Sequence, residues 1–153
     1  MKSRVLDYKP ELERIIAKCQ VCHIAMVDLE GKPYVLPFNF GYEEDVFYLH
    51  SAPAGKKIDI LKKNSEVCLA LSSDYILRSQ NEDVACSYGW KYRSILAYGK
   101  VEFIEDYDEK VKALNLLMKN YTEREFKYSE AAVRDVCVYK VVIDRFEGRA
   151  YGY

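Results

Sequence analysis

The sequence predicts a mainly β, α+β fold: an antiparallel barrel with peripheral helices. Two observations carry that expectation. Short apolar runs, alternating or continuous, are joined by tight turns, and helical spacing is confined to three segments that interrupt them. Strand–helix–strand alternation is missing, as is any G-x-G-x-x-G, which argues against a doubly wound nucleotide-binding fold. The fourteen tyrosines agree with a β protein, because the ring packs on a pleated surface while its hydroxyl reaches water or a partner.

The elements follow in order. A helix begins near Pro10, a residue suited to the first turn, with Leu12, Ile15, Ile16 and Cys19 on one apolar face. Val21 to Asp28 reads as a well-buried strand, and Leu29 to Lys32 as a turn on Gly31. A second strand, Tyr34 to Tyr42, contains Pro37, so it is an edge, bulged or bent. After a charged turn at Glu43-Glu44-Asp45, Val46 to His50 completes a three-strand meander. Lys57 to Lys63 is a short helix and Val67 to Leu71 a fourth strand. Residues 74–85 are polar and read as an irregular loop, and Tyr92 to Ile104 is a long strand. Asp108 to Lys119 is a helix with Val111, Leu114, Leu117 and Met118 inward, Val136 to Ile143 the last strand, and Asp144 to Tyr153 a short tail.

With 153 residues, half of them apolar, and no Pro/Gly/Ser-rich linker, residues 1–153 make one domain with a real core. Twenty-three basic against 24 acidic side chains leave no overall pull toward nucleic acid or anionic lipid, so any anion site must be a local arrangement. Five cysteines, an odd count, and the lack of an apolar N-terminal run predict a reducing, cytoplasmic setting without membrane attachment.

Three stretches carry chemistry. In His50-Ser51-Ala52-Pro53-Ala54-Gly55-Lys56-Lys57 a strand ends, the chain turns on Gly55, and a helix opens with two lysines. Free N–H groups and the positive end of the dipole suit such a helix start to a phosphate, with Ser51 as a hydroxyl donor and Lys56 or Lys57 as the charge. Trp90-Lys91-Tyr92-Arg93-Ser94 offers a bidentate guanidinium beside a hydroxyl and aromatic rings. Leu36-Pro37-Phe38-Asn39-Phe40 is a bent strand whose amides and rings suit the edge of a flat heterocycle. Solvated lysines, an exposed arginine and an ordinary edge strand would explain each one separately.

Taken together, Gly31-x-Pro-Tyr-Val-x-Pro-x-Asn-Phe-x-Tyr42, Tyr48-x-His-Ser-Ala-x-x-Gly-x-Lys57 and Tyr92-Arg-Ser-x-x-x-x-Gly99 resemble the pyridoxamine 5′-phosphate oxidase-like superfamily, and within it the nitroimidazole-resistance (Nim-type) branch. The resemblance implies an FMN-binding split barrel that acts as a homodimer, both subunits shaping each of two flavin sites. By position it assigns Lys57, Arg93, Ser94 and Ser51 to the phosphate, and Pro37, Phe38, Asn39, Phe40, His50, Ser51 and Ala52 to the isoalloxazine. Gly55, Lys56 and Tyr92 stand within the same motifs. It places His50 at the branch's active-site histidine, where the imidazole either donates a proton to a substrate or merely orients the loop. The activity implied is an FMN-dependent oxidoreductase reducing a small aromatic or nitro-type compound, with NAD(P)H as one electron donor. A non-catalytic flavin carrier or sensor, and a split barrel holding haem or deazaflavin, are the alternatives. The C-terminal Arg/His/Trp set that grips substrate in enzymes oxidising pyridoxamine phosphate has no counterpart in Arg145 to Tyr153.

Cys19-Gln-Val-Cys22-His23 matches the C-x-x-C-H pattern of covalent haem attachment. Cys19 completes an apolar helix face and Cys22 opens a strand, so both read as small buried hydrophobes. Cys68, Cys86 and Cys137 are scattered, and no metal site is expected.

Overall fold

The computed structural model describes residues 2–153. In chain order it contains β1 (Ser3–Leu6), α1 (Lys9–Lys18), β2 (Val21–Val27), β3 (Pro33–Asn39), β4 (Gly41–Glu43), β5 (Val46–Ser51), α2 (Lys56–Lys63), β6 (Glu66–Arg78), β7 (Gly89–Ile104), α3 (Tyr107–Lys119), α4 (Glu130–Asp135) and β8 (Cys137–Tyr151). The strands pair antiparallel in the order β3-β2-β6-β7-β8-β5-β4, with β1 added to β8. The chain passes from β3 at one end of that order to β4 at the other through Phe40 alone, so the sheet closes on itself.

That crossing corrects the expected meander. Tyr34 to Tyr42 is not one strand: β3 pairs β2, β4 pairs β5, and β5 takes β8 as its second neighbour rather than β3. The cause is packing at the corner. Phe40 is buried with its ring 5.3 Å from that of Phe47. The next residue, Gly41, lies flat on α3, where a Cβ would stand 2.6 Å from the Leu116 carbonyl carbon. Only a residue without a side chain lets the helix sit there. Gly41→Ala is therefore expected to cost about 1–3 kcal/mol, read as a lower urea midpoint at unchanged slope. An unchanged midpoint would mean that α3 does not press on the corner.

Pro37 lies in the edge strand β3, opposite His23, where its missing N–H costs no ladder bond. The first helix is as expected, with Leu12, Ile15, Ile16 and Cys19 all buried. β2 differs from its reading as a doubly buried strand. Cys22, Ile24 and Met26 face the core, while Val21, His23, Ala25 and Val27 are exposed on the other face.

Residues 74–85 were expected as a loop, yet β6 continues through Asp74 to Arg78 and pairs with β7 from Gly89 onward. The register shifts between Ser73 and Ile76, and Asp74 sits at φ 57° in the bulge. Tyr75, Ile76, Leu77 and Trp90 all stand exposed on this arm, which has no core beneath it to impose an inside–outside alternation. The last strand likewise does not stop at Ile143. It runs on to Tyr151, a bulge opposite Tyr98 and Gly99 absorbing Asp144, so the expected tail is sheet. β1, too short to show a period, lies against its end.

In α3 the buried residues are Lys110, Ala113, Leu116 and Leu117; of the expected inward set only Leu117 is fully buried. The helix is rotated because the Lys110 ammonium turns inward, donating to the carbonyls of Val133, Arg134 and Val136 at 3.4, 3.3 and 3.0 Å. These close the end of α4, a short helix capped by Ser129 that sequence periodicity did not mark.

Candidate functional site

The β5–α2 junction has the geometry its sequence suggested. Gly55, at φ 120° and ψ 172°, is the residue preceding α2, and no side chain caps the helix. Its carbonyl takes the N–H groups of Ile58 and Asp59, which leaves the first turn open toward solvent. A Cβ at Gly55 would meet nothing, so glycine is there for its backbone angle rather than for close approach.

The two lysines separate clearly. Lys56 Nζ lies 3.4 Å from Asp28 Oδ2 and 4.7 Å from the centre of the Tyr34 ring, so it is already engaged away from the helix entry. Asp28 is fixed in turn by the N–H groups of Lys32 and Glu30, and these bonds, with Lys56, hold its carboxyl below the usual range. Lys57 is half-buried and makes no ion pair among the described residues. Ser51 is half-buried and donates its hydroxyl to the Ala52 carbonyl at 3.0 Å. His50 pairs with Val138 and points outward, yet burial around the ring pushes its pKa down. Beside this loop, Pro53, Ile58, Phe103 and Cys137 help line a cleft of about 330 Å³.

Phe38 reaches the same end of the barrel from the other side, while Phe40 packs on Phe47 further back along β5. The Phe38 ring stands edge-on to Tyr139 at 6.4 Å, and Tyr139 is the residue paired with Leu49. The bent strand and the His50–Ser51 segment thus meet through one tyrosine.

Arg93 and Ser94 are elsewhere. Ser51 faces Cys137 at the start of β8, whereas Arg93 faces Ala150, thirteen residues further on. That is on the order of 40 Å measured along the strand. Arg93 donates from Nη1 to Asp74 at 2.9 Å and lies 3.8 Å over the Tyr153 ring; the Tyr153 hydroxyl bonds the Asp74 carbonyl. Asp74 also accepts from Lys18 Nζ at 2.7 Å, and Lys18, with Arg93, draws its carboxyl below the usual carboxylate range. Asp74, Tyr153 and Tyr139 were not foreseen as neighbours of the candidate residues. Asp74 lies in the segment read as a loop, and Tyr153 reaches Arg93 only because β8 is longer than its apolar run.

Cys19 is 5% and Cys22 0% exposed, burial drives the Cys22 thiol to about 12, and His23 points to the opposite face of β2. The cysteines are core residues, as their placement suggested, and no metal-holding cluster of His, Cys, Asp and Glu exists among the described residues. A groove of about 620 Å³ between Glu43 and Phe126, against α3, contains none of the candidate residues.

One surface stands out by what it lacks. Across five strands the pairings align Pro37–His23–Ala70–Leu96–Glu147 and, one step along, Val35–Ala25–Cys68–Tyr98–Arg145. Val21, Val27, Val35 and Leu96 on this face are all exposed, and none of the ten aligned residues is buried. Trp90 and Tyr92 continue it along the arm, where Tyr75 packs on both rings and Tyr92 on Tyr151.

A closed antiparallel sheet that hands the chain from one edge to the other through a single residue is the split barrel. Within that class the chain belongs to the pyridoxamine 5′-phosphate oxidase family, whose sequence pattern matches residues 9–150. Among solved structures, a candidate 5-nitroimidazole antibiotic resistance protein from Bacteroides thetaiotaomicron is 44% identical, with a TM-score of 0.88 over 97% of this chain and 87% of that one. An FAD and haem binding protein from Mycobacterium smegmatis has the same fold at 16% identity, TM-score 0.83, over 100% of this chain and 75% of the other. An FAD-binding protein from Mesorhizobium loti shares it at 22% identity, TM-score 0.71, over 99% and 100%. Among curated protein sequences none matches.

Proposed function

We propose that the protein is a homodimeric flavoprotein that binds FMN and reduces a small aromatic or nitro-type compound. The observation that carries this reading is the open entry to α2: an uncapped helix start on a positive-φ glycine, flanked by a lysine without an ion pair and a serine hydroxyl. Those donors fit a phosphate monoester. Family membership and the flavin-binding split barrels of the same fold support flavin as the group that carries it.

Bound flavin supplies hydride chemistry that no side chain has. The chain's own part is to hold and orient. Lys57 and Ser51 bind the phosphate, while Phe38, Phe40 and the His50–Ala52 backbone edge the ring system. Arg93 and Ser94 belong to the site only if a second copy brings them, because within one chain they stand at the far end of β8. The bare five-strand face provides the surface for that copy.

The lysine assignment has a direct test. Lys57→Ala is expected to weaken FMN binding about tenfold or more, and Lys56→Ala to change it less than about threefold, in a fluorescence titration. The reverse order would move the phosphate toward Asp28. His50 gives a pH prediction. Its lowered pKa makes it a neutral imidazole at neutral pH, so proton donation by His50 requires turnover to fall as pH rises through that lowered pKa. His50→Gln should remove this limb; a limb that persists would leave His50 as an orienting residue.

The cofactor reading is tested by the absorption spectrum of the purified protein and by acid release of its chromophore, followed by anaerobic titration with NAD(P)H. Released FMN and bleaching are the expected results. A Soret band would replace the flavin reading with haem, and FMN that no donor reduces would make the protein a carrier or sensor.

A further inference from the structure

We propose that Tyr139 is a positioning residue whose buried hydroxyl orients Ser51 toward the cofactor phosphate. The inference rests on the reading of Ser51 as a phosphate donor and deepens it.

Tyr139 is fully buried, its ring edge-on to Phe38 and 5.6 Å from Phe103, and its hydroxyl oxygen has no hydrogen-bond partner among the described residues. A phenylalanine would fill the same space without burying an unsatisfied polar group, so the hydroxyl costs stability where it stands. What lies beside it follows from register. Leu49 pairs with Tyr139 and Ser51 with Cys137, so Ser51 and Tyr139 are diagonal neighbours on the inner face of the β5–β8 pair. His50, between Leu49 and Ser51, points outward and takes no part. Ser51 is also the one neighbouring side chain that acts against the burial driving the Tyr139 phenol up to about 12, which agrees with that proximity.

The hydroxyl inventory then closes. Ser51 has one proton and two lone pairs, and the proton is spent on the neighbouring Ala52 carbonyl at 3.0 Å. Against an anion outside the barrel, that proton swings outward and Ser51 Oγ offers a lone pair inward. Tyr139 is the donor placed to take it. The phenol proton on Ser51 Oγ fixes the serine rotor in the donating orientation, and a buried group without a partner acquires one only when the site is filled. Hydrogen bonds in series of this kind also polarise one another.

The test compares wild type, Tyr139→Phe, Ser51→Ala and the double variant in titrations with FMN and with riboflavin, which lacks the phosphate. Thermal midpoints of the flavin-free proteins are measured alongside. Tyr139→Phe is expected to keep or raise the midpoint, to weaken FMN about fivefold to tenfold, and to leave riboflavin affinity unchanged. The double variant should bind FMN no worse than Ser51→Ala alone, because both changes break one chain of bonds. Equal FMN affinity in Tyr139→Phe and wild type, with Ser51→Ala weakened, overturns the role of Tyr139. Equal losses for FMN and riboflavin, or additive losses in the double variant, overturn it also by making Tyr139 a packing residue. An FMN affinity untouched by Ser51→Ala removes Ser51 from the phosphate site, and the positioning role falls with it.

Discussion

Glutamate in place of Leu96 is expected to leave the barrel folded but to separate the proposed homodimer into single chains that no longer hold flavin. Leu96 stands in the middle of the row Pro37–His23–Ala70–Leu96–Glu147, on the outward face of β7, and is about one-third exposed in the isolated chain. A carboxylate there meets water in the monomer, so the thermal midpoint should move little. In a two-fold assembly the same substitution enters twice, close to Glu147, which is already negative. Burying those charges without partners costs several kcal/mol, which raises the dimer dissociation constant by on the order of 10³-fold. Light scattering at micromolar concentration should give the mass of one chain, and flavin content should drop in step, because Arg93 and the α2 entry would then belong to separate molecules. Retained dimers would mean that the bare face is not the interface. Monomers that keep a full complement of FMN would place the whole site within one chain.

The sequence showed the fold class better than it showed how the strands connect. Helical and alternating periods report which residues are apolar, and they located α1, β5 and α2 because each presents one face to the core. They cannot report where a strand changes partners. Tyr34 to Tyr42 is one apolar run, but its halves pair with strands from opposite ends of the sheet, and the sign of the break is a glycine under Leu116, about seventy-five positions further along the chain. Periodicity is equally silent where sheet has no core beneath it. The arm at Tyr75 to Arg78 and the end of β8 are stabilised by ladder bonds and cross-strand rings, which leave no inside–outside pattern. Among the candidate residues, the Gly55 turn into α2 and the two lysines that open the helix were legible, because a glycine before a segment of helical spacing marks where the chain turns. The distinction between Lys56 and Lys57 was not, because it depends on Asp28, a turn residue some thirty positions earlier.

Replacing Arg93 by alanine should weaken FMN binding by about 1–3 kcal/mol, roughly fivefold to 150-fold, while costing the fold less. The asymmetry comes from Asp74. Its carboxylate is shared between Lys18 and Arg93, so it keeps one cation when the guanidinium goes. Lysine at position 93 should not restore binding, since an ammonium has neither the planar fork nor the flat surface that stacks on Tyr153. Asp74→Asn divides the two roles further. Asp74 is held below the usual carboxylate range chiefly by Lys18 and then by Arg93, so its ionised form stabilises the native state above that range. This contribution is lost as pH falls through the lowered pKa. Asp74→Asn should therefore unfold at lower urea than wild type near neutrality, and the two curves should converge in acid. If FMN binding in Asp74→Asn falls with stability, Asp74 is what aims Arg93. If binding holds while stability drops, the Tyr153 ring alone keeps the guanidinium in place, and the ion triad serves the join between α1 and the bulge of β6.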